Sequence, residues 1–210
     1  MSNKFAVLRT FVAAVTEIMG DQMPESSLLL RLRPLLEDLV SEDNWLPDEF
    51  SQPHPDHCQQ YLLYCDPLER FSVVSFVLGA GQKTPPHDHP TWGLIGNLRG
   101  GENYRSFKLA NGQLVAGAIQ RLTPGQLTFV RPEIGDAHEL TNAFPDRVSI
   151  SIHVYGCNIG LIRRHSYDPI TGRRDDFVIG YANAYLPNLW SGSEQVAESK
   201  SSEVHQRILH

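Results

Sequence analysis

The sequence predicts a mainly β protein: a barrel of about eight strands or more, with a short helical segment packed on it at the N-terminal side. Three observations carry this expectation. Before residue 50 the apolar residues recur at helical spacing, and from Gln60 onward their period becomes extended. Eight short extended stretches then follow, bounded by Gly, Pro or Asn-Gly punctuation. With 210 residues, 41% of them hydrophobic, the chain is long enough to bury one real core.

Taken in order, Phe5, Leu8, Val12, Val15 and Met19 make the apolar face of a helix over residues 4–20, ended by Gly20. This stretch superficially resembles a secretion signal, with Lys4 and Arg9 ahead of an apolar run. Glu17 breaks the run, and no Ala-x-Ala-like cleavage site follows. A second helix starts near Ser26 and runs through LLLRLRPLLEDLV, where Pro34 is expected to bend or split it. A short turn at Pro47–Phe50 and the proline-rich connector SQPHPDH lead into the strands. These are expected at Tyr61–Cys65, Phe71–Leu78, Trp92–Arg99, Asn103–Lys108, Leu114–Gln120, Leu127–Arg131, His138–Thr141 and Val148–Tyr155. Asn111-Gly112 is the clearest hairpin turn. From about Ser191 the chain is rich in Ser, Glu and Gln and reads as a polar tail or a loosely docked helix. The expected organisation is a helical segment at 1–50, a barrel at 51–190 and a tail at 191–210.

Composition narrows the function. The net charge is −6 and no Lys/Arg cluster or basic stripe exists, which argues against a nucleic-acid or anionic-membrane surface. No stretch is long and apolar enough to span a bilayer. Cys58, Cys65 and Cys157 form neither a Cys-x-x-Cys nor an even-numbered framework, so a reducing, cytoplasmic location is expected. Nothing in the pattern specifies an oligomeric state.

The chemistry concentrates in histidines. His87 and His89 sit two apart in GQKTPPHDHPTWGLIGNLRG, so in a strand they share a face. By itself such a pair is either half of a metal site or two histidines in a solvated loop. His138 stands at the start of a strand about fifty residues later. A neighbouring barrel strand can bring it beside the pair, and three imidazoles leave the opposite coordination positions open, as at a catalytic metal. Ser151, His153 and Tyr155 alternate with Ile152 and Val154 and share a second strand face. Taken singly, His153 and Tyr155 read as core residues. His54 and His57 read as solvated loop histidines, Cys157 as a small buried residue and Trp92 as packing. Asp88 and Asp136 either orient imidazoles or close turns.

Joined, these motifs resemble the cupin superfamily. Gly81-x5-His87-x-His89-x3-Gly93-x6-Gly100 is similar to the first cupin motif, with Gly93 where most cupins carry a metal-binding glutamate. Gly135-x2-His138-x3-Asn142 is similar to the end of the second, with Pro132 one residue early. Three histidines without the glutamate resemble the thiol dioxygenases of the cysteine dioxygenase family, and Ser151-Ile152-His153-Val154-Tyr155 is similar to their Ser-x-His-x-Tyr relay. The resemblance covers about residues 25–185. It implies a double-stranded β-helix, or jelly-roll, barrel. It also implies Fe(II) held by His87, His89 and His138, a catalytic relay of Ser151, His153 and Tyr155, and a small thiol and O2 as substrates, with a sulfinic acid as product.

Two departures from the animal enzymes refine this. Gly93 lies where they carry a cysteine cross-linked to the relay tyrosine, and Gln60 lies where they carry the arginine that grips the substrate carboxylate. Both departures resemble the bacterial branch that prefers 3-mercaptopropionate to cysteine, in which a later arginine takes the carboxylate. Arg164, in preference to Arg163, sits at the matching distance from Tyr155, so Arg164 and Gln60 are the expected substrate-binding residues. Two other readings stand beside this one: a cupin that binds a metal or small ligand without oxidising it, and a Zn- or Mn-dependent cupin isomerase.

Overall fold

The apolar stripe at the N-terminal side forms helix α1 (Phe5–Ile18), with Leu8, Phe11, Val15 and Ile18 buried. Helix α2 (Glu25–Leu39) follows and buries Leu28, Leu29, Leu32, Leu36 and Leu39. Pro34 lies inside α2 without ending it. The bond it cannot make would go to the carbonyl of Leu30, a residue 66% exposed, so water can take that carbonyl instead. The computed structural model describes residues 5–110, 113–132 and 136–183. The expected Asn111-Gly112 turn and the polar tail from Ser191 lie outside the described residues.

A short helical turn, Asp48–Phe50, leads into the strands. They are β1 (Gln59–Cys65), β2 (Ser72–Leu78), β3 (Gly93–Arg99), β4 (Glu102–Ala110), β5 (Gln113–Leu122), β6 (Leu127–Val130), β7 (Asp136–Asn142) and β8 (Ser149–Tyr155). All eight expected stretches are present. Two further strands, β9 (Arg164–Tyr167) and β10 (Arg174–Phe177), pair with each other. Their sequences, RHSY and RDDF, lack apolar alternation, which is why pattern alone reads them as loop.

Strand pairing defines the architecture. One sheet has the order β1-β2-β8-β3-β6, and a second the order β5-β4-β7. The segment before β3 joins the second sheet beside β7 through bridges Lys83↔Thr141 and His87↔His138. In chain order, then, β2, residues 83–87, β3 and β4 pair antiparallel with β8, β7, β6 and β5 in reverse. A two-stranded ribbon folded at the β4–β5 hairpin and wound on itself is a double-stranded β-helix, the jelly roll expected from the sequence.

The larger sheet is buried on both faces, which explains why every residue of β2 and β8 is buried. On its outer face Val73, Val77, Leu94, Leu98, Ile150, Ile152 and Val154 pack with Leu36, Leu39, Val40 and Trp45 of the helical segment. Gly96 of β3 permits this approach: a Cβ there would stand 3.1 Å from Val40 Cγ1. Trp92 belongs to this core, as expected for a packing residue. Inside the barrel, Phe76, Leu78, Ile95, Leu122, Val130 and Leu140 form a second cluster. Along β8 the apolar Ile150, Ile152 and Val154 therefore serve the helices, and Ser151, His153 and Tyr155 fall on the inner face.

Candidate metal and substrate site

The wound ribbon brings the two histidine motifs together. His87 and His138 exchange backbone hydrogen bonds, His87 N–H to His138 O at 3.0 Å and His138 N–H to His87 O at 2.8 Å. His89, on the same side, completes the group: one ring nitrogen from each of His87, His89 and His138 lies within 4.8 Å of the others. His87 Nδ1 lies 2.9 Å from the carbonyl of Pro85. A carbonyl only accepts, so Nδ1 carries the proton and Nε2 keeps its lone pair. The rings stack in a column: Tyr155 on His89 at 4.8 Å, His89 on His138 at 4.9 Å, and His138 on Tyr104 at 5.1 Å.

Burial holds these imidazoles neutral. It pushes His87 down to about 4 and both His89 and His138 well below the ordinary histidine value, with the Arg164 charge adding to the effect. Both ring nitrogens of His89 and of His138 are buried with no hydrogen-bond partner. Such groups are costly to leave unmatched, and a metal ion drawing one lone pair from each ring would satisfy one nitrogen of each. Three neutral nitrogen donors without a carboxylate fit Fe(II), Zn(II) or a similar divalent ion and preserve its full charge.

The second constellation shares the same interior. Ser151 Oγ lies 2.7 Å from His153 Nε2, and His153 Nδ1 lies 2.8 Å from the Tyr155 hydroxyl. Phe76 stacks on His153 at 5.0 Å and fixes its plane. Burial pushes His153 down to about 3 and raises Tyr155 above its ordinary range, so both are neutral at physiological pH. Tyr155 is paired in register with Gly93 across β3 and β8.

Arg164, at the start of β9, is 2% exposed and, among the described residues, forms no ion pair. Its guanidinium lies 4.9 Å above the Phe177 ring, while Nε and Nη2 are buried without partners. Arg163 is exposed and pairs with Asp176 at 3.3 Å. The two arginines thus differ in burial: Arg164 is enclosed and Arg163 is at the surface. Asp88, which the sequence leaves between an imidazole-orienting and a turn role, instead grips the strand that carries Arg164. It accepts from His165 N–H, His165 Nδ1 and the Tyr167 hydroxyl, each at 2.8 Å, and its own N–H donates to His165 O at 3.0 Å. The side chain of Asp136 lies outside the described residues.

A cavity of about 70 Å³ has His87, His153, Tyr155, Arg164, Gln60 and Cys58 among its walls and, among the described residues, no Asp or Glu. Gln60 is buried, and its amide donates to Gly180 O at 3.0 Å. One expectation needs correction: His57 is not simply a solvated loop residue but lines the cavity, because β1 starts two residues later and draws the loop end inward. Cys157 is half-buried, with its thiol pushed up to about 11 by burial, so it is not reactive. Sequence reasoning missed Cys58, Phe177 and Tyr104. Tyr104 follows Glu102 at period two on β4 and was findable from that alternation; Phe177 sits in a strand without an apolar pattern.

No protein-family model matches the sequence. Among solved structures, the chain is similar to an uncharacterized conserved protein with a double-stranded β-helix domain from Klebsiella pneumoniae. The identity is 20%, over 55% of this chain and 91% of that one, with a TM-score of 0.42. It is also similar to an RmlC-like cupin protein from Desulfovibrio desulfuricans, at 19% identity over 50% and 88% of the two chains and a TM-score of 0.37. KdgF from Halomonas sp. shows 18% identity over 54% and 93%, with a TM-score of 0.41. These similarities span about half of this chain, and the double-stranded β-helix assignment rests on its own strand pairing.

Proposed function

We propose that the protein is an Fe(II)-dependent thiol dioxygenase that converts a small thiol carboxylate and O2 into the corresponding sulfinic acid, with 3-mercaptopropionate preferred and cysteine next. One observation carries the reading. The buried Arg164, the Tyr155 end of the relay and His87 of the histidine cluster line one cavity.

The cavity argues for the substrate class. Its 70 Å³ holds about five to seven water-sized groups. That suits the six non-hydrogen atoms of 3-mercaptopropionate (one S, three C, two O). A carboxylate would satisfy the orphaned N–H groups of Arg164 by a charge-assisted, two-pronged bond. Cysteine adds an ammonium, for which the described walls offer no acidic partner.

An Fe(II) ion held by His87, His89 and His138 would bind the substrate sulfur as thiolate and activate O2, so that RSH and O2 become RSO2H. The chain's own residues orient the reactants. Arg164 fixes the carboxylate and thereby the reach of the thiol. With the His153 proton on Nδ1, Ser151 donates to Nε2, Nδ1–H donates to the Tyr155 oxygen, and the Tyr155 O–H is left to donate into the cavity. The apolar walls Phe76, Leu140 and Phe177 exclude bulk water.

Metal analysis followed by O2 uptake with a panel of thiols tests the proposal. Iron-dependent uptake, with one sulfinate formed per O2, is expected with 3-mercaptopropionate and with Tyr155→Phe is expected to lose rate or coupling. Bound zinc without uptake would favour an isomerase, and metal without turnover a binding protein. A higher kcat/KM for cysteine would overturn the substrate preference.

A further inference from the structure

Arg164 and Phe177 stand opposite each other where β9 pairs with β10, so their side chains share one face of that ribbon. The face is turned to the cavity: both residues line it, and Phe177 is buried. The Phe177 ring makes two contacts there. The Arg164 guanidinium carbon lies over it at 4.9 Å, and the His87 ring meets it edge to face at 6.2 Å and 77°. One aromatic side chain thus touches both the buried cation and the histidine cluster. Among the described residues, Nε and Nη2 of Arg164 have no hydrogen-bond partner, and these two groups form one edge of the planar guanidinium. Arg70 uses the same edge to hold Asp66, at 2.8 and 2.7 Å. A carboxylate bound to that edge of Arg164 and reaching toward His87 has its carbons beside the Phe177 ring.

The ring is held from both sides. On one side Asp88 clamps β9 through His165 and Tyr167. On the other, the chain that leaves β10 is tied to β1. Gly180 O accepts the Gln60 amide at 3.0 Å, and Ala182 N–H donates to Gln60 O at 2.9 Å. Asn183 receives Leu62 N–H at 2.8 Å and returns its amide to Leu62 O at 2.9 Å. Between these ties the Tyr181 hydroxyl donates to Asn158 Oδ1 at 2.6 Å and accepts Gly160 N–H at 2.9 Å. A wall fixed in this way discriminates by shape, because it does not repack around a wider ligand.

We propose that Phe177 is a specificity-determining residue that limits the width of the cavity between Arg164 and His87, so that the site takes a small carboxylate with an unbranched spacer and rejects one branched at the carbon next to the carboxyl. Arg164 and the histidines bound the ligand at its ends, and the aromatic ring bounds it at its flank. The amino group of cysteine branches at that same carbon, so the ring disfavours cysteine by width, beside the missing acidic partner. That the ligand carries a thiol rests on the thiol dioxygenase reading; the selection among carboxylates stands without it.

NMR titration of the metal-free protein tests this independently of turnover. The probes are butyrate, in which a methyl replaces the thiol of 3-mercaptopropionate, and its branched counterpart 2-methylbutyrate. One methylene-sized group in an apolar pocket is worth roughly 10- to 200-fold, so the wild type is expected to bind butyrate at least about tenfold more tightly. Equal affinities, or binding of neither acid, would overturn the proposal without recourse to any variant. Phe177→Leu keeps an apolar side chain but removes the ring, and it should narrow the butyrate preference by about tenfold. An unchanged ratio would overturn the proposal even if both affinities fell, since a merely structural loss weakens the two acids alike. With iron bound, the kcat/KM ratio of 3-mercaptopropionate to 3-mercapto-2-methylpropionate should change in the same direction. Turnover with that ratio unmoved would overturn the role of Phe177 and leave the dioxygenase reading intact. Absent turnover with the expected carboxylate preference would sink the dioxygenase reading and leave Phe177 as the width limit.

Discussion

Gly93 and Tyr155 face each other so closely across β3 and β8 that a Cβ on Gly93 would stand 2.8 Å from Tyr155 Cδ1. The tyrosine ring also stacks on His89 at 4.8 Å, so it is held between the Gly93 backbone and that histidine. A side chain at 93 would take the ring's place, which gives the glycine a positive role. It seats the phenol that the relay orients.

Gly93→Ala is therefore expected to keep the fold and the bound metal while displacing Tyr155. A misplacement of about 1 Å near reacting atoms costs roughly 100-fold in rate. The check is kcat/KM for thiol-dependent O2 uptake measured beside metal content. Full activity would show that the ring position does not matter, and lost metal would show that the change acts on His89 instead.

Arg164 couples binding to stability. Among the described residues its buried guanidinium has no paired anion, a condition that destabilises the ligand-free protein. Arg164→Met should raise the melting temperature of the metal-free protein by on the order of 2–4 °C per kcal/mol recovered. On the proposed reading the same change removes the carboxylate's partner, and KM should rise by about 10- to 100-fold, as for a lost hydrogen bond to a charged group. Thermal melting and steady-state kinetics on one preparation test both halves.

Asp88 lies between two of the clustered histidines in sequence, yet its carboxylate holds β9. Asp88→Asn replaces one accepting oxygen by a donor that cannot receive from His165 Nδ1 or the Tyr167 hydroxyl. The strand carrying Arg164 should loosen, raising KM for the thiol carboxylate by about tenfold while leaving metal stoichiometry unchanged. A fall in metal content with KM unaltered would place the role of Asp88 at the histidines.

His153 predicts the acid behaviour. Its folded value is pushed down to about 3 from 6.5 by burial, so between those values the unfolded chain binds the extra proton. Its contribution is complete above pH 6.5 and is lost as pH falls toward 3. Denaturation of metal-free protein across that range should show a slope that His153→Gln reduces by about one proton. An identical slope would mean that the ring is charged or hydrated in the folded state.

Residue pattern by itself determined the two helices, the eight barrel strands and the face-sharing of Ser151, His153 and Tyr155, because helix and strand periods are local properties of the chain. It also singled out His87, His89 and His138, whose spacing is a motif. Tertiary structure alone decided what meets them. Winding the ribbon sets Arg164, Cys58, Gln60 and Phe177 around one cavity and leaves Arg163 outside, although the two arginines are adjacent and equally polar. It makes Asp88, open in sequence between an imidazole-orienting and a turn role, a clamp on β9, and it buries Glu102 beside Ser149, with no local signal for either. Periodicity reports which face a residue occupies; what lies across that face depends on strands as distant in sequence as Ser72 and Tyr155, and only their register supplies it.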